Sequence, residues 1–128
     1  MRQKIREHHL DWTVASAGTE SYHVGEPPHR LSQKVCSAHG IDISGQRASR
    51  LSRSDFAEYD KIYAFAGDVY REVLHIGGDD ADRGRVDYFL NELTPAANFY
   101  VPDPYYGGEE GYHHVYELVE KTCDKIIE

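Results

Sequence analysis

After residue 10, short β-favouring runs alternate with helical runs, and this alternation limits the fold more than any other feature of the chain. Trp12-Thr13-Val14-Ala15-Ser16 reads as a short strand, ended by Ala17-Gly18-Thr19. Arg30 to His39 predicts a helix with Leu31, Val35 and Ala38 on one face, and Gly40 stands at the usual C-terminal glycine position. Ile62 to Ala66 is the best buried-strand candidate. Gly67-Asp68 opens a helix over Val69 to Ile76, and Gly77-Gly78 stops it. Val86 to Phe89 is a short last strand. From about Glu109 to Ile127, Tyr112, Val115, Tyr116, Val119, Cys123 and Ile126 fall at three- and four-residue steps, the stripe of an amphipathic helix. Strands alternating with helices argue an α/β fold, an open parallel sheet with helices on both faces, which binds ligands beyond the carboxyl ends of its strands. The expected organisation is a single domain over residues 1–128.

The connecting segments carry less chemistry. Residues 1–9 read as an uncapped helix end in which Ile5 supplies the apolar face, and His8, His9 and Asp11 do not share a helical face suited to a metal. The loop from Glu20 to His29 is expected to be irregular and exposed. Ser44 to Ser54, with Arg47, Arg50 and Arg53, reads as a solvated connection, and Ser52 to Asp55 has capping-box spacing before a short helix. Three carboxylates within residues 79–85 lack the distant glutamate of a calcium loop, so a solvated, mobile loop is expected. Nothing here implies a metal or a cofactor.

Composition bears on partners and place. With 22 acids against 14 bases the net charge is −8, which repels phosphate backbones and argues against nucleic acid. No apolar run is long enough to span a bilayer, and the charged N-terminus lacks the apolar centre of a signal peptide, so a cytoplasmic place is expected by default. The two cysteines, Cys36 and Cys123, have no CxxC or zinc spacing and fall at apolar helix positions, so they read as reduced core residues.

One loop draws a functional reading. In Val101-Pro102-Asp103-Pro104-Tyr105-Tyr106-Gly107-Gly108 a carboxylate stands between two prolines. Each proline fixes its own φ and restricts the residue before it, so Asp103 is held on a stiff loop. Such an acid is either an aimed side chain or part of a rigid turn that caps the next helix. Several of the ten tyrosines cluster at 100–116, suggesting an aromatic wall nearby.

Several segments, taken in order, resemble the low-molecular-weight protein tyrosine phosphatases. They are Trp12 to Thr19, Val24 to Pro28, His39-Gly40-Ile41, Asp55-Phe56, Tyr59 to Ile62, Asp103 to Gly107 and Val115 to Leu118. The resemblance implies the phosphotyrosine phosphatase I-like fold and hydrolysis of phosphotyrosine proteins or small phosphomonoesters through a phosphocysteine. A thiolate with a lowered pKa attacks phosphorus, backbone N–H groups and an arginine cradle the phosphate, and an aspartic acid protonates the leaving phenol. In this resemblance Asp103 matches the acid. Tyr22, Tyr105 and Tyr106 match aromatic residues beside the substrate ring, and Ser16 matches a serine that supports the phosphate loop.

The departure is the nucleophile. The family carries it in a Cys-x5-Arg loop after its first strand, and no Cys-x5-Arg occurs in these 128 residues. Six residues after Cys36 stands Asp42, and Cys123 has five residues behind it. Gly45-Gln46 also stands where members carry a loop-holding histidine. The comparison therefore implies that the first, central strand and the phosphate loop are missing, that Met1 is an internal methionine or the start of a truncated chain, and that the chain lacks phosphatase activity. Loss of a central strand leaves sheet edges unpaired, so low stability or a homodimer is expected. A related arsenate reductase needs redox cysteines that residues 67–100 do not contain. A non-catalytic interaction module on the same scaffold is the remaining alternative.

Overall fold

The computed structural model describes residues 1–20, 23–104 and 108–128. They form α1 (Arg2–Glu7), α2 (Arg30–Ala38), α3 (Asp55–Glu58), β1 (Ile62–Ala64), α4 (Gly67–Gly77), β2 (Val86–Tyr88) and α5 (Glu109–Ile127), with short 3-10 turns at Gly78–Asp80 and Phe89–Glu92. The chain divides into two compact units, one of Met1–Ser16, His23–Ser49 and Pro102–Glu128, the other of Ala17–Tyr22 and Arg50–Val101.

The second unit is α/β. Strands β1 and β2 pair in parallel, Ile62 with Val86, Tyr63 with Asp87 and Ala64 with Tyr88. A parallel pair needs a long crossover, and α4 supplies it, packing on both strands. The core is Phe56, Val73 and Val86, with Leu51, Val69 and Ile76 packed around it. Gly77 belongs to the last turn of α4 rather than to its stop. A β-carbon there would lie 2.7 Å from both the Phe56 ring and Ala81, so only glycine lets the helix end pass Phe56. Gly78, at φ 53°, ends the helix. The capping box at Ser52 is half formed. The Asp55 carboxylate reaches back to the Ser52 N–H at 2.8 Å, but the Ser52 hydroxyl also donates to that carboxylate instead of capping the Asp55 N–H. The acidic loop at 79–85 is organised by an Arg53–Asp80 ion pair at 2.6 Å and by the Gly84 N–H donating to Asp82 at 2.9 Å.

The strand expected at Trp12–Ser16 does not form. A strand exists through its ladder, and β propensity cannot supply a neighbour. Among the described residues no backbone hydrogen bond joins residues 11–17 to another segment. Pairing begins only at Gly18, which bridges Arg50 in parallel. The flanking ties are side-chain ones, from Arg2 to the Val14 carbonyl and from Ser49 Oγ to the Ser16 carbonyl, and Trp12 is 46% exposed.

In the first unit α2 packs on α5. His29 stacks on Tyr112 with ring centroids 5.3 Å apart, and His39 stacks on Tyr116 at 4.0 Å. Lys34 pairs with Glu109 in the first turn of α5. Helix α1 meets α5 through Lys4, which pairs with Glu120 at 3.6 Å and with Asp124. Both short helices end in the same six-residue closure. In α2 the Ile41 N–H reaches the Cys36 carbonyl at 2.9 Å and the Gly40 N–H the Ser37 carbonyl at 3.0 Å, with Gly40 left-handed at φ 77°. In α1 the Leu10 N–H reaches the Ile5 carbonyl at 3.0 Å and the His9 N–H the Arg6 carbonyl at 3.2 Å, with His9 left-handed at φ 53°. Glycine adopts that conformation without steric cost and histidine does not.

Two stability predictions follow from these contacts. Gly40→Ala should lower the unfolding free energy by about 1 kcal/mol and His9→Gly should raise it by about 0.5 kcal/mol, read by urea denaturation. The Lys34 hydrogen bond holds the Glu109 carboxyl below the ordinary carboxylate range. A depressed folded pKa contributes stability above the unfolded value and loses it as pH falls through the folded one. The stability difference between the native chain and Lys34→Met should therefore be full at neutral pH and shrink toward zero at about pH 3, measured by denaturation at each pH.

Candidate active site

Asp103 sits where the chain is held on both sides. Before it, Val101 is buried and its N–H donates to the Phe65 carbonyl, just beyond β1, at 2.8 Å. After it, Pro104 rests against Gly111 in the first turn of α5, 3.7 Å from where a β-carbon of that glycine would stand. Between these anchors the prolines restrict the backbone, and Asp103 itself is exposed. An exposed carboxyl on a stiff stretch can reach a substrate atom without first refolding the loop. Tyr22, Tyr105 and Tyr106, expected to form the aromatic wall, lie outside the described residues.

Ser16 lies elsewhere in the same unit, on a cavity of about 160 Å³ that it lines with Glu26, Pro27, Pro28, Gln46, Arg47 and Ala48. The same cavity is lined by Ser16, which the resemblance matches to a loop-supporting serine, and by Gln46 of the Gly45-Gln46 pair that stands where members carry a histidine. Asp103 is not among the lining residues. The cavity has room for several water molecules or an inserted polar group. Gln46 offers an amide that stays neutral at every pH, where a histidine could gain a proton.

The walls of this cavity were not visible in the sequence. The Gly25 N–H donates to the Ala48 carbonyl at 2.7 Å, and the Ala48 N–H donates to the Glu26 carbonyl at 2.8 Å. This exchange ties the loop read as irregular to the connection read as solvated. Gly25 at φ 86° permits it, and that glycine was the one available signal. Arg47 is likewise engaged, donating to the carbonyls of Ser44 at 2.9 Å and Gln46 at 2.7 Å.

The two thiols are free and differently placed, Cys36 half-buried on α2 and Cys123 buried on α5. Burial pushes both pKa values up. A protonated thiol is a poor nucleophile, and an attacking cysteine needs the opposite environment.

A family model described as low molecular weight phosphotyrosine protein phosphatase matches residues 1–128. A protein of Synechocystis sp. assigned to the low molecular weight protein-tyrosine-phosphatases is 38% identical over 112 residues, covering 88% of this chain and 71% of that protein. PtpA of Staphylococcus aureus (strain Newman), a low molecular weight protein-tyrosine-phosphatase, is 30% identical over 129 residues, covering 100% of this chain and 79% of its own. Among solved structures, a protein tyrosine phosphatase from Entamoeba histolytica with Hepes in its active site superposes with a TM-score of 0.85 at 32% identity, over 98% of this chain and 81% of that one. Sequence and fold agree along the whole chain: it belongs to the low molecular weight phosphotyrosine protein phosphatase family.

Proposed function

We propose that the chain is a single phosphotyrosine phosphatase-family domain whose residues supply the leaving-group side of the reaction, with Asp103 as general acid. Protonation of the departing phenol needs a positioned carboxylic acid, and Asp103 has the required chain restraint and exposure. Tyr22, Tyr105 and Tyr106 flank the substrate ring in this reading, and Ser16 supports the phosphate loop. The substrates are phosphotyrosine proteins or small phosphomonoesters, in the cytoplasm. No helix among the described residues is long and apolar enough to cross a membrane.

The same reading gives these 128 residues no hydrolysis of their own. The supporting observation is the setting of the thiols: no Cys-x5-Arg occurs in these 128 residues, and burial pushes the Cys36 and Cys123 thiols up. Both settings work against the attacking role. The 128-residue chain should release p-nitrophenol from p-nitrophenyl phosphate at background rate, and turnover typical of an intact relative would overturn this. A chimera that adds the Cys-x5-Arg segment of the S. aureus relative should gain turnover, and Asp103→Asn within it should lower kcat by about 10²–10⁴-fold. An unchanged kcat would remove Asp103 from the acid's role.

We also propose self-association through sheet edges. Only β1 and β2 form a ladder among the described residues, and the Trp12 segment carries exposed apolar surface without a strand partner. Open edges are templates for pairing. Sedimentation should show a dimer, or thermal unfolding should show a weakly cooperative, low-melting chain. A cooperative monomer with a high melting temperature would refute this.

A further inference from the structure

The loop between β2 and the acid is closed by one side chain, and we infer that Asn91 is a positioning residue for the acid loop. The inference rests on the reading of Asp103 as the acid. The Asn91 amide makes three hydrogen bonds. Its Nδ2 donates to Asp87 Oδ1 at 2.7 Å and to Asn98 Oδ1 at 2.9 Å, and its Oδ1 accepts the Asn98 N–H at 2.8 Å. Asp87 is fixed in turn, because its Oδ1 also accepts the Tyr88 N–H at 2.8 Å. The clasp therefore joins β2 to residue 98, across a loop that holds Ala96 at φ 61° and Asn98 at φ 55°. Non-glycine residues keep left-handed conformations only where the surroundings impose them, and the bidentate contact to Asn98 does so here.

What leaves the clasp is held at short intervals. Tyr100 stacks on Tyr88 with ring centroids 6.1 Å apart, and Tyr88 stacks on Tyr70 at 4.8 Å. The Tyr100 hydroxyl lies over Gly67, where any β-carbon would collide with it. Val101 is then tied to Phe65 by its N–H. The next residue is Pro102 and the one after it is Asp103, so little freedom remains between the last tie and the carboxyl. Cutting the clasp frees the chain upstream of these ties and lets the error propagate into Asp103. Asn91 touches no reacting atom. It acts through residues 98–101.

The test uses amide exchange and side-chain NMR on the full 128-residue chain, with Asn91→Ala removing the whole clasp and Asn98→Ala removing its bond to the Asn98 Oδ1. In both variants the Val101 amide should exchange about tenfold faster while Val73 and Val86 in the core stay protected. The Asp103 Cγ resonance should move in both. The double variant should show no more than Asn91→Ala alone, because Asn98→Ala removes only the Nδ2–Oδ1 bond of the same clasp. Unchanged exchange at Val101 with an unmoved Asp103 resonance would overturn the inference. So would an equal acceleration at Val73 and Val86, which would make Asn91 a general stabiliser of the fold. Failure of the acid reading is separate, because it shows in the kcat of Asp103→Asn in the chimera and leaves these spectra as they are.

Discussion

Parallel strands cannot be joined by a tight turn, and the second unit is built around that constraint. Pairing Ile62–Ala64 with Val86–Tyr88 in parallel requires a crossover, and the 11-residue helix α4 provides it. The helix must bury Val73 against the strands and then end beside the Phe56 ring. Gly77 follows from that demand, since any side chain at the last turn would strike Phe56 and Ala81. The same pairing decides where the candidate acid begins. The carbonyl of Phe65, just past the carboxyl end of β1, receives the Val101 N–H, two residues before Asp103.

How much of this was legible in the sequence depended on whether the signal was local. The stripe from Tyr112 to Ile126 fixed α5 at Glu109–Ile127, because a helix satisfies its own hydrogen bonds and its apolar face can be read from spacing alone. Gly40 marked the end of α2 for the same reason. Strands depend on partners far along the chain. Val86–Phe89 shortened to Val86–Tyr88 when Phe89 turned into a 3-10 segment, and Trp12–Ser16 found no ladder at all. Gly77 looked like a stop signal because the ring it must clear is 21 positions away, at Phe56. The Asn91–Asn98 clasp left no trace either, since asparagines seven apart in a loop have no periodic meaning.

The candidate site divides along the same line. Asp103 was visible because two prolines announce a stiff backbone without reference to the rest of the fold. Ser16 and Gln46 were singled out only through the resemblance, and the segments that line their shared cavity are tied by the Gly25–Ala48 and Ala48–Glu26 hydrogen bonds. Those bonds join segments more than twenty residues apart, so composition and periodicity could not show them.

The thiols make the chemical argument sharper than a missing motif does. Phosphoryl transfer through cysteine separates two demands: a nucleophile that must be ionised before substrate arrives, and an acid that must still hold its proton when the phenol leaves. These call for opposite environments, one rich in N–H groups and positive charge, the other stiff but open to the substrate. Asp103, between two prolines and at an exposed position, is the residue proposed for the second. Burial works against the first in both cysteines, because its desolvation outweighs the nearby positive charge of the N-terminus and, for Cys123, of Lys4. An activated thiolate needs a cradle of its own, and packing a cysteine into the α2 or α5 face works against forming one. On the proposed reading Asp103 gives the phenol oxygen its proton as the P–O bond breaks, in the same displacement in which a thiolate bonds to phosphorus.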